Sequence, residues 1–209
     1  MPKYHWNPTR QQYENASTGQ AVAHTQIREW VDATVAGSKS RVRDISQRFA
    51  DGKIDLPAWQ TQIQAELKGA HVAMSEIASG GRAQWTATQA GRVGVRLREQ
   101  YKYLNEFGLA IDRGDIDKGD GLMARSEMYA EAERATYEGI RRGQMLDAGF
   151  AMERNVLGNT DNNCEGCLAA DAEDWVPIGT LDPPGERDCL SNCLCSLEYS
   201  MVSLEDGGE

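Results

Sequence analysis

LGNTDNNCEGCLAADAEDWVPIGTLDPPGERDCLSNCLCSLEY, residues 157–199, contains all five cysteines of this 209-residue chain. Cys164 and Cys167 form a C-x-x-C, and after 21 intervening residues Cys189, Cys193 and Cys195 form a C-x-x-x-C-x-C. Two cysteine clusters separated by a loop of about 15–20 residues have the layout of a zinc knuckle or ribbon, in which each cluster aims sulfurs at one point. Thiolates suit zinc, a borderline-soft ion without redox chemistry of its own. A tetrahedron takes four sulfurs, so five leave one spare. Cys164 and Cys167 are the first ligands to choose, Cys189 and Cys195 the favoured partners, and Cys193 the alternate. Such a zinc is structural, because a site closed by cysteines, in a segment without histidine, leaves no open position for water. One or two disulfides, or free thiols, are the competing readings. The odd count, the crowding of the cysteines and the lack of a signal-peptide pattern weigh against a secreted disulfide framework.

The residues around the cysteines are poor in core material. Trp175, Val176, Ile178, Leu181, Leu197 and Tyr199 are most of the large apolar groups from 150 to 200. A segment that poor needs a staple, which independently favours a metal. Trp175, the largest of these groups, is expected in the module's core. MERNVL (152–157) reads as an edge strand, with two more strands near 175–179 and 194–199, giving a short antiparallel sheet.

Upstream the period changes to that of helices. Ile27, Trp30, Val31, Val35, Val42, Ile45 and Phe49 predict a helix over 25–50, stopped by Asp51-Gly52. Asp55 with Pro57 opens a second helix, which Ser79-Gly80-Gly81 ends. Thr86 and Gln89 fit a capping box before a third helix that runs to about Asp112. A fourth is predicted over 121–148, with Gly149 as its stop. Residues 1–23 lack a helical period and read as an extended arm whose Tyr4, Trp6 and Tyr13 pack on the chain's own body. The expected fold is therefore mainly α. An N-terminal extended arm (1–24) precedes a helical domain of about four helices (25–149). A cysteine-stapled α+β module (150–200) and an acidic tail (201–209) follow.

Charge narrows the function. Residues 160–209 hold 12 acidic groups and one basic group, Arg187, whereas residues 1–159 are balanced to within one charge. A uniformly basic surface of the kind that binds nucleic acid is absent. No apolar run approaches the roughly 18–20 residues of a membrane span, so the chain is expected in the cytosol when made, with no membrane partner. His24 and His71 stand alone and read as surface or capping residues rather than ligands. Arg134, Arg141 and Arg142, with Glu131, Glu133 and Glu138, read as a solvated helix face. Convergent acid, base and oxyanion groups are not evident, so no catalytic activity is expected.

From Ala124 to Tyr199 the chain resembles the C-terminal half of phage head morphogenesis proteins of the phage Mu F-like (minor head protein) type. The residues that carry the resemblance are the helix MARSEMYAEAERATYEGIRRGQMLDAGF, then ERNVLG, the C-x-x-C, WVPIGTL, the Pro184-Gly185 loop and NCLCSLEY. YHWNPTRQQY, LPAWQ and GGRAQWTATQAGRVG with REQYKYLNEF are similar to uncharacterised prophage proteins of this length. Many relatives carry a histidine just before the first cysteine, where this chain has Asn163. The resemblance implies a virion protein of the phage head, in the host cytoplasm during assembly. It would be present in several copies, bound to portal or major capsid protein, with packaged DNA as a further candidate partner, assisting head assembly, packaging or ejection. The alternative reading is a zinc-knuckle nucleic-acid-binding or regulatory protein of a prophage, which the acidic module opposes.

Overall fold

A computed structural model describes residues 4–189 and 193–201; the expected acidic tail beyond Met201 lies outside them. The protein is mainly α, with two small antiparallel sheets and the cysteines gathered near the C-terminus. Helices α1 (His24–Ala50), α2 (Leu56–Ser79) and α3 (Ala87–Asp112) lie where the helical period predicts, α2 and α3 with side-chain N-caps and α1 without one. The Asp55 carboxylate accepts the Ala58 N–H at 2.9 Å, and the Thr86–Gln89 capping box is present in both directions. Helix α1 runs through Gly37 without a break, because its stripe of Ile27, Val31, Val35, Val42 and Phe49 is buried along its whole length.

The predicted fourth helix is two. Helix α4 (Asp120–Glu131) packs chiefly on α1, and α5 (Glu133–Asp147) chiefly on α2, with the break at Ala132. No glycine or proline marks the break. The change of packing partner does, and it buries Glu133 at the start of α5 against the Ser38 hydroxyl of α1, 2.6 Å away.

Two apolar clusters fill the body. The first centres on Phe49, Trp59 and Phe107, with ring centroids 5.5 and 5.7 Å apart. The second joins Ile27, Val31, Met74, Tyr137 and Ile140 to Tyr4, Trp6 and Tyr13, and partly buried Phe150, Ile178 and Tyr199 pack on it. The N-terminal arm is thus a hairpin, β1 (Tyr4–Asn7) against β2 (Gln12–Asn15), laid on the body. It caps α2: the Tyr4 and Tyr13 hydroxyls donate to the carbonyls of Ile77 and Ala78 at 3.0 and 2.5 Å, groups that a helix end leaves without the i+4 N–H of the helix interior. Gly80 permits this approach. Its φ is +86°, and a Cβ there would lie 2.3 Å from the Trp6 backbone nitrogen.

Beyond α5, strand β3 (Met152–Val156) lies between β4 (Val176–Pro177) and β5 (Ser196–Ser200), antiparallel to each. The expected edge strand is therefore the central one. Its polar residues misled the sequence reading: Glu153 and Asn155 are buried and hydrogen-bonded, not solvated. A short helix, α6 (Glu165–Ala172), starts at the first cysteine.

The charged face of α5 is also a correction. Glu133, Glu138 and Arg141 are buried, and Arg134 and Arg142 are paired with Asp32 and Glu153. Helices α1 and α2, the hairpin and the C-terminal sheet surround α5, so its polar side has no solvent to face. His71 is buried as well, with Nδ1 2.7 Å from the Thr136 hydroxyl. Among the described residues no helix is long and apolar enough to cross a membrane.

Candidate metal centre

The first cysteine pair is set by a helix start. Cys164 is the N-cap of α6, and its sulfur accepts the Cys167 N–H at 3.4 Å, as a serine or aspartate oxygen does at other helices. One turn in, Cys167 points back at the same place and is buried. The second cluster arrives on two segments. Cys189 ends the loop after β4, and Cys193 and Cys195 lead into β5. Gly158 makes room for the latter: a Cβ there would lie 2.5 Å from the Leu194 Cβ. From the body, Arg28 of α1 donates to the Ser196 hydroxyl at 2.7 Å and to the Leu194 carbonyl at 3.2 Å, fixing the C-x-C segment against the bundle.

All five sulfurs come together. Cys164, Cys167 and Cys189 lie within 4.8 Å of one another, as do Cys167, Cys193 and Cys195. Cys167 belongs to both threes, at 3.5 Å from the Cys189 sulfur and 3.6 Å from that of Cys193. A disulfide needs about 2.05 Å, and all five are free thiols. Sulfurs about 3.8 Å apart are what a tetrahedral ion with metal–sulfur bonds of about 2.3 Å requires. The cysteines are thus close enough to hold a metal ion. No histidine or carboxylate joins either group among the described residues.

Without a cation Cys167, Cys189 and Cys195 hold their protons. Burial raises Cys167 and pushes Cys189 up to about 12. Cys195 is raised further, first by its Cys193 neighbour and then by burial. Cys164 is lowered instead: burial works against its thiolate, but the Cys167 N–H and neighbouring thiols favour it more. Crowded thiols have no local positive charge large enough to ionise them together, and a divalent ion supplies it.

One functional residue was missed in the sequence. Arg187, the lone basic group in an acidic stretch, is buried and organises the loop that carries Cys189. It donates to the Asp182 carbonyl and to Asn155 Oδ1, each at 2.7 Å, and its Nη1 lies 3.8 Å from the Cys167 sulfur. Beside it, Asp188 accepts the Gly166 N–H at 3.0 Å, tying the same loop to α6. A single arginine among twelve acidic residues was the available signal. Asn163, where the resemblance has a histidine, sits with its Oδ1 3.9 Å from the Cys195 sulfur.

Trp175 is not where the sequence reading put it. It is half-buried at the surface, with the Arg154 guanidinium 4.8 Å from its ring centre. The module's apolar core is Ala170, Leu181 and Leu197. Fold and site together define a helical protein with a cysteine cluster able to hold a metal ion. Compared with protein-family models, with curated proteins and with solved structures, the chain matches none.

Proposed function

We propose that this protein is a minor head protein of a tailed bacteriophage, of the phage Mu F-like type. In this reading it associates with portal or major capsid protein in several copies and assists head morphogenesis, DNA packaging or ejection, and its cysteine cluster holds one structural zinc. The observation that carries the reading is that the segments bearing the resemblance are packed as one unit. Helix α5 bonds β3 through Arg142 and Glu153, β3 pairs with β4 and β5, and the cysteines close the far end. Zinc is favoured over other ions because every available donor is a thiol and the sulfur spacing suits a tetrahedron. The cluster's place in such a protein is structural: it holds together a small module whose apolar core could not do so alone.

The test is assembly with its own portal and major capsid proteins. Co-expressed with them, the protein is expected to co-purify with portal or with procapsids, and mass spectrometry of purified heads should find it. Absence from procapsids and from mature heads alike sinks the proposal.

A further inference from the structure

Away from the cysteines, a groove of about 730 Å³ runs between α3 and α4, with His71 of α2 and Ala135 of α5 also among its walls. It falls in the range of about 300–1,000 Å³ usual for binding pockets. Tyr103 and Met128 stand at it 55% and 43% exposed, while Tyr129 is buried. Met, Tyr and Arg are the residue types enriched where proteins meet. One end is closed by the cysteine module: Gly185, at φ +93°, sits so close that a Cβ would lie 2.8 Å from that of Ala135, and the next residue, Glu186, pairs with Arg96.

Polar groups in this groove lack partners. His71 is 1% exposed, and its Nε2 is buried without a hydrogen bond; so is Gln100 Oε1. Burial, helped by Arg96, lowers the His71 pKa to about 4, so the ring is neutral and Nε2 asks for a hydrogen bond rather than a counter-ion. Such atoms are costly to leave dry. Arg96 and Glu99 also line the groove and lie 4.0 Å apart as an ion pair, which leaves Arg125 to provide the free charge. Its guanidinium rests 4.7 Å from the Phe107 ring centre beside Tyr129, and it makes no ion pair among the described residues.

We propose that the groove docks a segment of a protein partner that presents an apolar side chain next to an aspartate or glutamate. The apolar walls take the side chain. The segment's backbone N–H and C=O are the groups that satisfy Gln100 and His71, and its carboxylate pairs with Arg125. A basic segment is disfavoured by that arginine. The groove is separate from the cysteine cluster, so the inference does not depend on the identity proposed above.

Selection of a displayed library of random 12-residue peptides on the full-length reduced protein tests it. Peptides that combine Leu, Ile or an aromatic residue with Asp or Glu are expected to enrich. Their affinity should fall at least tenfold on Ala124→Trp, which fills the groove from an exposed position, and on Arg125→Glu; Arg125→Lys should retain most of it. The exposed Arg125 variants keep the test valid if the melting curve shows that Ala124→Trp folds poorly. Enrichment of basic peptides, no enrichment, or equal binding to wild type and variants overturns the proposal. So does a wild-type dimer, seen in sedimentation, that Arg125→Glu dissociates, since the occupant is then a second copy.

Discussion

Between α1, α2 and α3 the chain buries Phe49, Trp59, Leu67, Leu104 and Phe107; between β3, α6 and β5 it buries three cysteines, a glutamate and an arginine. The two regions lie in one molecule but are held by different physics. The first gains from non-directional apolar burial, about 25 cal/mol per Å², which tolerates exchange of one large side chain for another of similar volume. The second has Ala170, Leu181 and Leu197 for a core and depends on groups that work only with their partners in place. Arg187 needs Asn155, Glu153 needs Arg142, and the thiols are placed to share a cation. The helical region should therefore lose stability in increments and the cysteine region all at once.

Cys167→Ser should break the comparison most completely. Cys167 is shared by both threes of sulfurs, so its loss breaks both at once. Structural zinc in comparable sites contributes about 10–16 kcal/mol, which acts as folding free energy. The variant should lose its metal by elemental analysis and become protease-sensitive over residues 150–199, while far-UV helicity stays close to wild type. Cys195→Ser should retain more metal, because the Cys193 sulfur, 3.6 Å from that of Cys167, can close the site in its place. Equal loss in both variants would make Cys195 a ligand; retained metal in Cys167→Ser would remove the distinction between the two regions.

How much of this was legible in the sequence follows the same division. Helix starts and stops at Asp55, Gly80 and Thr86 were readable because the chemistry is local: a side-chain oxygen two or three residues from the N–H it accepts, or a glycine at positive φ. The cysteine cluster was readable from spacing. The choice between Cys193 and Cys195 was not, since it depends on how β5 enters the module. The break at Ala132 and the burial of α5's charges were hidden for one reason: both are decided by which elements surround that helix, and the 3.6-residue period is silent on that. The hairpin was hidden because its aromatics serve α2's C-terminal carbonyls, far away in sequence.

Arg142→Ala tests the polar bonding of the second region without touching a cysteine. Glu153 is fully buried. Its Oε1 accepts from Arg142 Nη2 at 3.0 Å and from the backbone N–H groups of Gly179 and Leu181 at 2.9 and 3.1 Å. Arg142 Nε lies 2.9 Å from Oε2, as an ion pair out of hydrogen-bond alignment. Removing the arginine leaves a buried carboxylate without its counter-charge, a loss of about 3–5 kcal/mol. Denaturant unfolding should show it; a loss below about 1 kcal/mol would return this side of α5 to the solvated face that the sequence suggested.

Glu133→Gln sharpens the view of the helical region, whose one fully buried carboxyl has no cationic partner within ion-pair distance among the described residues. Burial raises the Glu133 pKa to about 9, so the folded state keeps its proton where the unfolded chain gives it up. Its contribution to stability is therefore full below pH about 4.5 and declines as pH rises towards 9, by at most about 1.4 kcal/mol per pH unit. The glutamine variant lacks this decline. Its stability should match wild type at pH 5 and exceed it at pH 8. Half-buried His24 and buried His71 act in the opposite sense: desolvation lowers them to about 3 and 4, so stability falls as pH drops below about 6.5. They are present in both proteins and cancel in the difference. A pH-independent gap between the two would mean that Glu133 is ionised in the folded state.

The smallest effect is expected at Trp175, the residue that sequence reasoning placed at the module's centre. Trp175 is half-buried, and its partner is the Arg154 guanidinium, itself held by Glu198 at 2.7 Å. An exposed contact between a cation and an aromatic face contributes about 0.5–1 kcal/mol. Fully buried Leu197, in contrast, packs with Ala170 and Leu181 beneath the sheet, where Leu-to-Ala truncation costs about 2–5 kcal/mol. Trp175→Ala should thus leave the protease resistance of residues 150–199 and the metal content near wild type, while Leu197→Ala lowers both. The pair separates size from position: if Trp175→Ala opens the module as readily as Leu197→Ala, the indole is holding the edge strand β4 in place. The cysteine region would then have an apolar support that its small core does not reveal.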